Sequence, residues 1–299
     1  MTGSPTVPVL EVGGTHVTAA LVDLLGPDRA EVRGRVRRPL DAHGPAADVL
    51  GALLDCAAAL PEIPAGAVWG VAVPGPFDYA TGVARYADVG KFDALNGVDV
   101  GAALRAGLPG RPAGTAFRND AHAFLIGEAH AGAARGHRRC AGITLGTGVG
   151  SAFLADGRIR VDEPGLPPEG RADLLTLHGR PLEDSVSRRA ILARYGGPGG
   201  DADVDVRDVA DRARAGEERA ARVLAEAFAE LGTALAPSLD SFGASVLVVG
   251  GSMARSWDLV APALRDGLGG AGPAVTAARL GEDALLIGAA LAAARGHEE

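Results

Sequence analysis

The sequence predicts an α/β fold in two domains. Strand and helix signals alternate along 299 residues, enough for two cores of ordinary size. A strand–glycine turn–strand pattern occurs twice, over residues 9–22 and again over 143–154. A five-residue apolar strand at 245–249 runs straight into Gly250-Gly251-Ser252 and a helix, an order that suits an anion at a helix N-terminus.

Residues 7–12 and 17–24 read as paired strands around Gly13-Gly14-Thr15, and 30–39 as a third strand. An alanine- and leucine-rich helix follows at 45–60, then a buried strand at 67–73 ending in Pro74-Gly75-Pro76-Phe77-Asp78, with a hairpin beyond it near Gly82. Residues 98–106 read as a short helix, and Leu108-Pro109-Gly110-Arg111-Pro112 as a connector between domains 1–113 and 114–299. The second part opens with a strand at 114–118 and a helix over 121–134. Residues 141–145 and 150–154 form a hairpin around Gly146-Thr147-Gly148. Residues 160–181 are rich in Pro and Gly without a period, which reads as a functional loop. Helices are expected at 182–193, 205–215 and 217–239, with a flexible break at 196–200. The stripe Val223, Leu224, Ala227, Phe228, Leu231, Leu235 reads as core packing. A terminal helix at 284–295 is expected to pack back on the first domain.

Composition narrows the function classes. With 47% hydrophobic and 22% charged residues the chain is globular. Its net charge of −8 argues against a nucleic-acid surface, which needs clustered cations. Lys91 is the only lysine; arginine supplies the other cations, the densest run being Arg135-Gly136-His137-Arg138-Arg139. Cys56 and Cys140 read as buried thiols of a reducing cytosol, too few for a four-thiolate zinc site. The start, Met1-Thr2-Gly3-Ser4-Pro5, has neither the basic nor the apolar region of a signal peptide, and no stretch reads as a membrane span, so a cytoplasmic protein is expected. His122, His130 and His137 lack metal-ligand spacing and receive no role.

The motifs that carry chemistry are few. Gly13 and Gly14 remove the Cβ atoms that would hold a polyanion away from backbone N–H groups, and Thr15 adds a hydroxyl. Glu11, at the strand end before them, can reach a divalent cation directly or through its water. Gly146, Thr147 and Gly148 would present N–H groups and a hydroxyl to phosphates; Gly250, Gly251 and Ser252 suit an adenosine or phosphate contact. Asn119-Asp120, before a helix, reads as an N-cap pair and equally as a polar pair holding a carboxylate at a site; the two readings are compatible. Each of these glycine turns is also an ordinary tight turn when met alone.

Together they resemble the ROK family (repressors, open reading frames and kinases) of sugar kinases. The resemblance covers nearly the whole chain and rests on Glu11-Val12-Gly13-Gly14-Thr15, Val73-Pro74-Gly75-Pro76, Asn119-Asp120-Ala121, Gly127-Glu128, Leu145-Gly146-Thr147-Gly148-Val149-Gly150, Leu182-Glu183 and Val249-Gly250-Gly251-Ser252. It implies the ribonuclease-H-like fold of actin, hexokinase and Hsp70, with a cleft between domains. It further implies an ATP-dependent, Mg2+-requiring hexose kinase acting on glucose or a related sugar, at the 6-hydroxyl, and a homodimer by default. Asp120 would then be the general base and Asn119 a donor and acceptor for sugar hydroxyls. Glu183 matches the family's sugar-binding Glu.

The chain departs from the family pattern in three places. Glu11 stands where Asp is usual, and His16 where Lys is frequent. Many members carry a Glu-x-Gly-His motif and a cysteine zinc cluster; residues 167–184 here contain no cysteine, so zinc is not expected. Glu169 and His178 are the residues available to replace the missing Glu and His. Two other readings stay open: a catalytically decayed or regulatory sugar-binding protein, and a kinase using polyphosphate. The repressor form is disfavoured, since the first strand leaves no room for a helix-turn-helix module.

Overall fold

A computed structural model describes residues 5–197, 204–270 and 272–295. The chain divides into two compact units, one comprising residues 1–135 and 282–299, the other 136–281.

The first unit begins with β1 (Thr6–Val12), β2 (His16–Gly26) and β3 (Arg29–Pro39), an antiparallel meander. Helix α1 (Ala46–Ala58) leads to β4 (Val68–Val73), the short hairpin β5 (Phe77–Asp78) and β6 (Val83–Ala84), α2 (Val100–Gly107), β7 (Gly114–Asn119) and α3 (Asp120–Ala131). The sheet order is β3-β2-β1-β4-β7, with β4 parallel to both β1 and β7. The expected connector at 108–112 is therefore internal: it joins α2 to β7 within one unit, and the division falls at Arg135/Gly136 rather than at 113/114. Six register pairs between β4 and β7, from Val68↔Gly114 to Val73↔Asn119, hold that strand in the first sheet.

The second unit contains β8 (Arg139–Leu145), β9 (Val149–Ala155) and β10 (Arg158–Ile159), then β11 (Thr176–Leu177) and β12 (Arg180–Pro181) in the proline-rich stretch. Helices α4 (Glu183–Val186), α5 (Arg188–Gly196), α6 (Val206–Arg214) and α7 (Glu218–Phe242) follow, then β13 (Val246–Gly250), α8 (Trp257–Leu268) and β14 (Ala274–Ala277). The single helix expected at 182–193 is two, because Ser187 leaves helical geometry and caps α5 through the Ala190 N–H. Of the break at 196–200, residues 198–200 lie outside the described residues, as do residues 1–4. Strand β14 escaped sequence reading: four residues paired in parallel to β13 are too short to show a period.

This sheet runs β10-β9-β8-β13-β14, again three antiparallel strands followed by two parallel ones. The order repeats that of the first unit strand for strand. The two glycine turns noted in the sequence occupy the same place in each, between the first and second strands.

The last helix, α9 (Asp283–Arg295), belongs to the first unit. Side chains alternate across β4. Trp69, Val71 and Val73 join the buried cluster with α1 and α2, including Val49, Leu53 and Leu104. Gly70 faces the other way, where a Cβ would collide with the Ala289 carbonyl of α9. Helix α9 meets α3 just as closely: a Cβ on Gly127 would strike the Ala284 carbonyl, and one on Gly288 the Ala123 carbonyl. Glu128 is wholly buried, yet its carboxylate accepts from the Ala133 N–H at 2.6 Å, so it satisfies the backbone just past the end of its own helix. Both cysteines are buried, and burial alone pushes the Cys140 thiol up to about 12, as an unreactive core thiol requires. Among the described residues, no helix is long and apolar enough to cross a membrane.

Candidate active site

In the first unit the site residues sit at strand ends. Asn119 ends β7 and caps α3: its Oδ1 accepts from the N–H groups of Ala121 at 3.0 Å and His122 at 3.2 Å. Its Nδ2 donates to the Tyr79 hydroxyl at 3.1 Å. This revises the expected donor-and-acceptor role. The oxygen is committed to the helix cap and one amide hydrogen to Tyr79, which leaves a single N–H for a sugar oxygen. Tyr79 is the residue that sequence reading missed; it lies forty positions away, and only the fold brings it to Asn119.

Asp120 is the first residue of α3 and half-buried. Burial holds its carboxyl above the usual carboxylate range, opposed by the Ala121 N–H at 2.9 Å, by Lys91 and by Asn119. A carboxylate of this kind is a better proton acceptor near neutral pH than an ordinary aspartate.

The first glycine turn is closed by the Gly13 N–H donating to the His16 carbonyl at 2.9 Å, so that donor is spent within the turn. Gly14 has nothing within 4 Å of where a Cβ would stand, which leaves its face open. Neither glycine takes a left-handed backbone, so space rather than φ is what they provide. Thr15 Oγ1 lies 3.3 Å from His16 Nδ1, and His16 Nε2 lies 4.0 Å from the Glu11 carboxylate. Burial raises Glu11, with Thr18, Arg37 and Arg35 opposing and Glu282 adding to the rise. Among the described residues no three His, Cys, Asp or Glu side chains stand close enough to hold a metal ion. Mg2+ commonly takes one or two carboxylates together with substrate phosphates and water, and a single Glu11 fits that pattern.

In the second unit, the Gly146 N–H donates to the Gly148 carbonyl at 3.1 Å across the β8–β9 turn. Glu183, expected at the sugar, is pressed against this turn: its Oε1 accepts from the Val149 N–H at 2.9 Å, and a Cβ on Gly148 would collide with it. Gly148→Ala should therefore evict the Glu183 carboxylate from Val149 and cost about 1.5–3 kcal/mol, the worth of a charge-assisted hydrogen bond. Thermal melting checks this, and an unchanged melting temperature would show the carboxylate to be idle there.

Gly251 has φ +85° and abuts the Leu145 backbone, where a Cβ would collide with the carbonyl. Both its conformation and its contact demand glycine. Ser252 Oγ stands 4.0 Å from the Cβ position of Gly146, so the two glycine turns of this unit meet. They open on a cavity of about 620 Å³ that Gly146, Thr147 and Ser252 share with Leu224, Phe228 and Met253. Leu224 and Phe228 belong to the stripe read as core. They are buried and also form the apolar wall of the cavity, a double role that periodicity alone does not reveal. Arg188, Arg207, Arg214 and Arg255 add positive charge to the lining, tempered by Asp205 on Arg188 at 2.8 Å and by Asp258 on Arg214 at 2.8 Å.

Glu169 and His178 both lie in the second unit. Glu169 is exposed, with φ +57°, and its ion pair is with Arg171 at 3.5 Å. His178 and Gly179, with φ of +52° and +75°, form the two-residue turn between β11 and β12. Positive φ at both central residues is the mark of a tight hairpin turn.

The sequence profile of the ROK family matches residues 8–295. The glucokinase of Thermotoga maritima is 24% identical over 279 residues, covering 86% of this chain and 85% of that protein. Among solved structures, the ROK hexokinase of Thermus thermophilus is 29% identical with a TM-score of 0.76, covering 97% of this chain and 98% of that one. A ROK glucokinase of Streptomyces griseus, solved with glucose and AMPPNP, is 23% identical with a TM-score of 0.78, covering 98% of this chain and 100% of that one. The repeated five-stranded sheets are those of the actin- and hexokinase-type ATPase fold, and the chain belongs to the ROK family.

Proposed function

We propose that this protein is an ATP-dependent kinase of a hexose, glucose or a related sugar, phosphorylating the 6-hydroxyl. The observation that carries the reading is the Asn119–Asp120 junction: a half-buried carboxylate fixed at the start of α3, raised above its ordinary range, beside an amide held by Tyr79. Its meaning comes from the family the chain belongs to. The relatives named glucokinase and hexokinase support the sugar class.

In the proposed reaction the sugar hydroxyl oxygen attacks the γ-phosphorus of ATP. Its proton passes to an Asp120 carboxylate oxygen, the bond from the γ-phosphorus to the bridging oxygen breaks, and ADP leaves. The remaining Asn119 N–H would hold a neighbouring sugar oxygen and so orient the attacking hydroxyl. Thr147, Ser252 and the apolar wall of Leu224 and Phe228 would receive the nucleotide in the cavity of the second unit. Mg2+, when bound with the nucleotide, would offset phosphate charge, with Glu11 as the protein's carboxylate for it.

ATP is favoured over polyphosphate as donor because the densest cationic run is already neutralised: Arg138 pairs with Asp156 at 2.9 Å and Arg139 with Glu163 at 2.5 Å. The test is ADP release from Mg-ATP with hexoses, amino-hexoses and N-acetyl-hexosamines, repeated with polyphosphate as donor. Turnover on a sugar with ATP is the expected result. Silence on every sugar, with sugar-dependent thermal stabilisation retained, would replace the kinase by a sugar-binding protein.

A further inference from the structure

Tyr79 is held from two sides. Its ring lies 5.5 Å from that of the buried Phe77, which lies 5.0 Å from that of Phe117, buried in turn. Its backbone stands inside a closed turn. Asp78 Oδ1 accepts from the N–H groups of Ala80 at 3.2 Å and Thr81 at 3.1 Å, and the Gly82 N–H donates to the Asp78 carbonyl at 2.8 Å. Arg85 pairs with the same carboxylate at 3.5 Å. Aromatic packing and the turn together set the phenol in place before any ligand arrives.

The phenol meets Asn119 over Gly75. A Cβ on Gly75 would lie 3.2 Å from the Tyr79 hydroxyl and 3.9 Å from Asn119 Nδ2. Gly75 has no left-handed backbone, so what glycine provides here is open space beside these two polar groups. The orientation of the Asn119 amide is fixed: Oδ1 takes two N–H donors of α3, and Nδ2 is the end turned to Tyr79. The Tyr79 hydroxyl accepts one of the two amide hydrogens, and the planarity of the amide then dictates where the other points.

We propose that Tyr79 is a positioning residue for the acceptor: by accepting one Asn119 amide hydrogen it aims the other at a sugar oxygen beside the hydroxyl that reacts at Asp120. The inference rests on the kinase reading above and deepens it by naming what the acceptor must carry. With its oxygen capping α3 and one hydrogen on Tyr79, the amide offers the sugar a donor alone. A hydroxyl answers that donor with a lone pair. A protonated amine has no lone pair to give, and a deoxy position has no polar atom at all. The acceptor is therefore a sugar with a hydroxyl at that position, in preference to its deoxy or amino counterpart.

The test uses the full chain with a neutral hexose and its monodeoxy analogues. Tyr79→Phe keeps the ring and removes the hydroxyl. It should lower kcat/KM for the parent hexose about tenfold, the upper worth of a neutral hydrogen bond. On one analogue, that lacking the hydroxyl Asn119 holds, it should change kcat/KM by less than about twofold. An equal loss on every acceptor would make Tyr79 merely structural and overturn the proposal, as would no loss on the parent hexose. Asn119→Ser keeps an oxygen for the cap but has no amide. On that background, adding Tyr79→Phe should cost less than about twofold, and a full further loss would show that Tyr79 does not act through Asn119. If no acceptor turns over, the kinase reading fails, and Tyr79 is judged by heteronuclear NMR of isotope-labelled protein. Asn96 and Asn119 are the two asparagines of a chain without glutamine, so the side-chain amide region holds two proton pairs, and the pair lost in Asn119→Ser is that of Asn119. A hexose that shifts this pair at least about threefold further in wild type than in Tyr79→Phe sustains the role; any smaller difference, or no shift in either, ends it.

Discussion

Asp120→Asn should lower kcat/KM by about 100- to 10,000-fold, the range over which a general base acts, while leaving the fold intact. The substitution keeps the shape and the Oδ1 that accepts from the Ala121 N–H, but removes the proton acceptor. It also removes a charge that burial disfavours. Against this, an anion at the first turn of α3 is worth about 0.3–1 kcal/mol through the helix dipole. The two nearly cancel, so stability at neutral pH should stay within about 1 kcal/mol of wild type. The pH dependence separates the effects. The folded pKa of Asp120 is raised above the unfolded value of about 3.9, so between the two the folded state binds more protons than the unfolded one. The Asp120 contribution to stability therefore falls as pH rises through that window. Activity runs the opposite way, lost as pH drops through the raised pKa, and the acid limb of the kcat/KM profile should lie above the ordinary carboxylate range. Melting curves and rates measured over the same pH series check both signs. An Asp120→Asn enzyme with wild-type turnover would dismiss this carboxylate as the base.

Gly288→Ala is expected to give the largest loss of stability, about 3 kcal/mol, as overpacking at an unyielding contact does. The added Cβ would collide with the Ala123 carbonyl of α3, and backbone cannot rotate aside as a side chain does. Helices α3 and α9 would have to part, loosening Gly127 from Ala284 and Gly70 from Ala289. Asp120 begins α3, so activity should fall as well. The expected drop in melting temperature is roughly 6–12 °C, at 2–4 °C per kcal/mol for a domain of this size. Gly51→Ala is the control. Gly51 lies inside α1 with nothing within 4 Å of its Cβ position, so the same chemical change should stabilise by up to about 1 kcal/mol. Opposite signs for the two substitutions, measured by denaturant unfolding, isolate the packing contact from the intrinsic cost of glycine. Equal signs would refute a close backbone contact between α9 and α3.

Most of the secondary structure was legible because it is carried by local pattern. The pairing of residues 7–12 with 17–24, the hairpin around Gly146-Thr147-Gly148 and the long helix now seen as Glu218–Phe242 all follow from short-range periodicity and turn chemistry. The misread places are those where partners distant in sequence decide. Residues 108–112 have the composition of a linker, yet β4 claims β7 for the first sheet. Residues 182–193 have the composition of one helix, yet the Ser187 side chain caps a second start.

The sequence alone determined the class of fold, the glycine turns, the Asn119–Asp120 pair and the family likeness, because each is written in contiguous residues. Only the tertiary structure decided how those residues are employed. It set Tyr79 against Asn119 and left that amide a single donor, turned Glu183 onto the Gly148 turn, and made Phe228 a cavity wall. Hydrogen bonds, burial and charge coupling are properties of distances across the fold, and residues far apart in sequence acquire them only when the sheets and helices close.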